Sequence, residues 1–69
     1  MMTFGEMQAY TNRFKEIVGS KVSDEIKDIR LANLMTDLEK AYQIPIFRNE
    51  EFESKNPQLM QLYRTISEA

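Results

Sequence analysis

Cysteine and histidine are both missing from the 69 residues, which removes disulfide staples, thiolate zinc sites and the commonest imidazole ligand together. No apolar run approaches the roughly 18 residues of a membrane span, and the opening MMTFGEMQ has neither the basic region nor the apolar stretch of a signal peptide. The expected setting is cytoplasmic and reducing, with no membrane partner. A charge cluster of one sign is missing as well. Nine basic residues face eleven acidic ones, a formal net charge of −2, with two against two over residues 1–20, four against five over 21–43 and three against four over 44–69. Attraction to nucleic acid or anionic lipid depends on clustered Lys and Arg, so neither partner finds support.

What the chain does have is apolar periodicity. Thr3-Phe4-Gly5-Glu6 has the Thr-x-x-Glu spacing of a capping box, with Met2 and Met7 at the positions of a hydrophobic staple. Phe4, Met7, Thr11, Phe14 and Val18 follow at helical spacing, flanked by Tyr10 and Ile17, and predict a helix over about 4–18 that ends at Gly19-Ser20. Ser23, followed by Asp24 and Glu25, caps a second helix over about 23–42. Its apolar residues change side near Arg30. Val22, Ile26 and Ile29 share one face, whereas Leu31, Leu34, Leu38, Ala41 and Tyr42 share a nearly opposite one. Asn56-Pro57 starts a third helix over about 57–68, carrying Leu59, Leu62, Tyr63 and Ile66 at i, i+3, i+4, i+7. The final TISEA, without glycine cap or polar tail, fits a chain that ends there and one that continues.

Between the second and third helices lies QIPIF, residues 43–47, where Pro45 disfavours helical geometry at Ile44. Ile44, Pro45, Ile46 and Phe47 should therefore be extended, with Asn49 capping a single turn through Phe52. The fold class is all-α: a small antiparallel three-helix arrangement with this extended connection, forming a single helical domain over 1–69. So short a chain buries only about 60% of the surface its unfolded form exposes, so spare apolar surface is informative. Two readings compete. In one, helix 2 packs its early face on helix 1 and its later face on helix 3, and the connection folds under as a lid. In the other, three short helices cannot cover both faces and the connection, and an apolar patch is left for a partner.

Catalytic chemistry finds little footing. Asp24, Glu25 and Asp28, and again Glu50, Glu51 and Glu53, lie near helix starts, where acidic side chains are favoured by the dipole. Neither cluster has the DxDxDG spacing of a calcium loop. Ser20-Lys21 and Ser54-Lys55 are adjacent pairs whose side chains point apart, and Gly5 and Gly19 form no phosphate-cradling loop. No enzymatic activity, metal or cofactor is expected. A helix-turn-helix reading would lead its recognition helix with Asp24, Glu25 and Asp28, which repel phosphate. The expected function is a small helical protein–protein interaction module, an adaptor, regulator or inhibitor, docking hydrophobically on a protein partner or on itself as a homodimer. Its expected interaction residues are Val22, Ile26, Ile29, Tyr42, Ile44, Ile46, Phe47 and Arg48, with Tyr42 and Phe47 as aromatic anchors. A helix-turn-helix-like nucleic-acid regulator is the alternative.

Overall fold

The Thr3 box forms as its spacing predicts. In a computed structural model that describes residues 2–69, leaving the first residue of the expected domain outside the description, the Thr3 backbone N–H donates to Glu6 Oε1 at 2.9 Å. The Glu6 N–H donates in return to Thr3 Oγ1 at 3.1 Å. These bonds open α1, Phe4–Val18. The Thr3 amide, followed by the Thr3 hydroxyl, holds the Glu6 carboxyl below its ordinary range. Because Thr3→Ala removes the N-cap acceptor, it should cost about 1 kcal/mol in urea denaturation near neutral pH. The Glu6 share of the box is complete above the ordinary carboxylate pKa and disappears as pH falls through the lowered value. The gap between variant and parent should accordingly narrow in strong acid.

α1 buries a line rotated from the one its spacing suggests. Ile17 is buried and Met7, Tyr10 and Phe14 pack against the core, whereas Phe4 and Val18, the two ends of the expected stripe, face outward. Apolar area accounts for the rotation. Thr11, at the centre of the expected stripe, has little to bury, and turning toward Tyr10 and Ile17 removes more surface from water.

α2, Asp24–Tyr42, starts at Ser23, whose Oγ accepts from the Ile26 N–H at 3.4 Å. It ends at Gln43, which takes the left-handed conformation at φ 54 while its N–H donates to the Glu39 carbonyl. The Ile44 N–H donates to the same carbonyl at 3.1 Å. Pro45, two residues beyond, keeps the helix from continuing.

A fourth helix appears where one turn was expected. The Asn49 Oδ1 accepts from the Phe52 N–H at 3.0 Å and opens α3, Glu50–Lys55. α4, Pro57–Ser67, follows at once with proline at its first position. Asn56 does not cap α4 with its side chain, as the Asn-Pro pair suggested; its Nδ2 donates backward to the Phe52 carbonyl at 3.0 Å. That carbonyl also accepts the Asn56 backbone N–H at 3.0 Å, and its second lone pair takes the side-chain amide.

The described residues contain no strand, so the chain is all-helical. α2 packs against both α1 and α4, α1 also meets α4, and α3 lies against α4. Met2, Ile17, Leu31, Leu34, Leu38, Leu59, Leu62 and Ile66 form the buried core. The two-sided use of α2 is not observed. One leucine face serves both neighbours, because a helical stripe roughly 100° wide can meet two helices at once, and Ile26 and Ile29 are left exposed.

Candidate functional site

The connection after α2 divides its apolar residues between inside and outside. The left-handed turn at Gln43 sends the chain back so that Ile44 packs against the core. The backbone then bends at Ile46 and Phe47. Ile46 is 97% exposed and Phe47 84% exposed. Two adjacent large apolar side chains held in water forgo about 1.5–3 kcal/mol each relative to burial.

Beside them opens a cleft of about 580 Å³. Ile44, Pro45, Ile46 and Met60 give it an apolar lining, and Glu39, Arg48, Glu53, Tyr63 and Arg64 are among its polar groups. Those polar groups are already engaged with one another. The Tyr63 hydroxyl donates to Glu39 Oε1, and burial followed by that bond pushes its pKa up to about 12. Arg64 Nη2 lies 2.6 Å from Glu53 Oε1, and Arg48 Nε approaches the other Glu53 oxygen at 3.5 Å. Glu53 is largely shielded in this pairing, and Arg48 reaches it from solvent.

Tyr42 is placed differently from an exposed anchor. Its ring meets Tyr10 edge to face at 6.0 Å, and its hydroxyl is buried without a hydrogen-bond partner. Burial, then the neighbouring Glu6 carboxylate, pushes the Tyr42 pKa up to about 12.

No protein-family model matches this chain, nor does any curated protein or solved structure.

The eight expected interaction residues fall into three places. Ile46, Phe47 and Arg48 are exposed together beyond the end of α2, while Tyr42 and Ile44 pack against the core. Ile26 and Ile29 are exposed near the start of α2, beside a half-buried Val22. The part of α2 that runs from Ile29 to Tyr42 separates them by about 20 Å, so the two exposed groups do not form one patch.

Phe4, also 84% exposed, was not expected at the surface. Glu6 and Tyr10, just after it, adjoin Tyr42, which puts Phe4 at the same end as Phe47. The only signal in the sequence was its position as the first residue of a helix, ahead of the turn that packs. Among the described residues no group of three or more carboxylates could hold a metal. Glu51 pairs with Lys55 at 2.9 Å and Glu53 with Arg64, so two carboxylates of the second acidic cluster are engaged in ion pairs. No helix of the described residues is long and apolar enough to cross a membrane.

Proposed function

We propose that this chain is a small helical protein-interaction module that docks a protein partner through Ile46 and Phe47. The supporting observation is their exposure in a fold whose central leucines, Leu34 and Leu38, are completely enclosed. Large apolar groups gathered at a surface are the usual mark of an interaction site, and an aromatic at its centre supplies much of the binding energy.

The longer helices α1, α2 and α4 form an antiparallel bundle in this reading. Arg13 meets Asp37 at 2.6 Å and Tyr10 meets Tyr42, so α1 runs against α2. Ala69 shares a groove with Asp24 and Leu31, and Met60 shares one with Ile44, so α4 also runs against α2. Such a bundle carries the connection at one end, where Ile46 and Phe47 stand clear of the core. The nucleic-acid alternative receives no comparable support, since Asp24 and Glu25 occupy the first turn of α2 and would oppose phosphate.

A photo-crosslinking residue placed at position 47 tests the reading in native cells. It should yield discrete protein adducts, whereas the same group at position 33, on the exposed polar side of α2, should yield none. If neither position 46 nor position 47 gives an adduct, the docking reading is wrong.

A further inference from the structure

We infer that the cleft binds a small zwitterion with an apolar body, a hydrophobic amino acid or a short peptide, whose ammonium meets Glu39 and whose carboxylate meets Arg48. The site adjoins the docking surface and does not depend on it. Four charged side chains line the cleft, Glu39, Arg48, Glu53 and Arg64, and they are not matched two by two. Arg64 Nη2 and Glu53 Oε1 form a close pair at 2.6 Å. Arg48 shares that carboxylate only through Nε, at 3.5 Å and from solvent. Its two terminal nitrogens, which can grip a carboxylate as a fork, pair with no carboxylate among the described residues.

Glu39 is the opposite case. It is half-buried in the last turn of α2, one of its oxygens takes the Tyr63 hydroxyl, and no Lys or Arg pairs with it among the described residues. One guanidinium and one carboxylate are thus left over in the same cleft without meeting each other. A simple anion would answer Arg48 and leave Glu39 as it stands, and a simple cation would do the reverse. A zwitterion answers both, and a charge leaves water at least cost when its opposite awaits it. The lining also sets the body of the ligand. Ile44, Pro45 and Met60 offer apolar contact, and about 580 Å³ lies within the roughly 300–1,000 Å³ of small-molecule sites, where a few convergent polar groups fix the orientation.

Titration of the full chain with free leucine and with leucyl-leucine, followed by backbone amide resonances, tests the site. The two probes distinguish amino acid from peptide by the distance between their charges. At least one should saturate, with shifts centred on Ile44, Met60 and Tyr63. Glu39→Gln, whose amide oxygen can still accept from Tyr63, should weaken binding by about 10-fold, and Arg48→Gln, at an exposed position, by about 3-fold. Both variants should keep the far-ultraviolet circular dichroism of the wild type. Isopentylamine, which is leucine without its carboxylate, should be indifferent to Arg48→Gln. Isocaproate, which is leucine without its ammonium, should be indifferent to Glu39→Gln. Saturation by neither zwitterion, or an affinity that both substitutions leave unchanged, would overturn the inference. Crosslinks from position 47 would then still decide the docking reading on their own.

Discussion

Leu34→Ala should leave much of the population unfolded at room temperature. Leu34 is wholly enclosed on the face of α2 that serves both α1 and α4. Removing three carbons there forfeits their transfer free energy and opens a cavity, at a cost of about 2–5 kcal/mol. A single core in a chain of this size rarely supplies more than about 3–5 kcal/mol, and the loss is of the same order. Leu38→Ala should behave alike, since Leu38 is equally enclosed. Ile29→Ala is the control. Ile29 is 61% exposed on the opposite face of the same helix, and its truncation should stay within about 0.5 kcal/mol. Urea denaturation followed by circular dichroism separates the outcomes. A larger loss for Ile29→Ala than for Leu34→Ala would mean that α2 buries its other face.

That contrast also marks how far the sequence could be read. The all-helical character was legible because helix starts are local: Thr3 with Glu6, Ser23 and Asn49 each accept bonds from within three residues. The two opposed faces of α2 were legible as well, from the 100° step between residues. Which face would be covered was not. That choice depends on where α1 and α4 find the most apolar area, and the leucine face offered enough for both. The same competition rotated α1 so that Phe4 lay outside.

The candidate site was legible in part. Proline at 45 marked the connection as non-helical, and three apolar neighbours marked it as worth attention. Its division into a half-buried Ile44 and exposed Ile46 and Phe47 follows from the left-handed turn at Gln43. Glycine usually holds such a position, and glutamine gives no warning of it. The cleft was invisible. Glu53 with Arg64 and Glu39 with Tyr63 are pairs joined across helices, and no local spacing announces them.

Alkaline pH should destabilise the protein through two tyrosines. Tyr42 and Tyr63 both have pKa values raised from 10.0 to about 12, in each case by burial first and a neighbouring glutamate second. Below about pH 10 both phenols are protonated in the folded and unfolded chains, and the stability they lend is intact. Between about 10 and 12 the unfolded chain releases these protons while the fold retains them, so stability falls as pH rises through the folded values. The full shift corresponds to about 2.7 kcal/mol per group; for half-buried rings, discounting for solvent screening leaves about 1–2 kcal/mol each. Single substitutions to phenylalanine should separate the two. Tyr42→Phe removes a buried hydroxyl that has no partner, so it should be neutral or stabilising near pH 7 and should flatten the alkaline decline. Tyr63→Phe should flatten the decline equally but cost about 1 kcal/mol near pH 7, because Glu39 loses its donor. Urea midpoints taken across the alkaline range, with tyrosinate absorbance read in parallel, measure both effects. An unchanged alkaline slope in both variants would show that neither phenol is held in its neutral form by the fold.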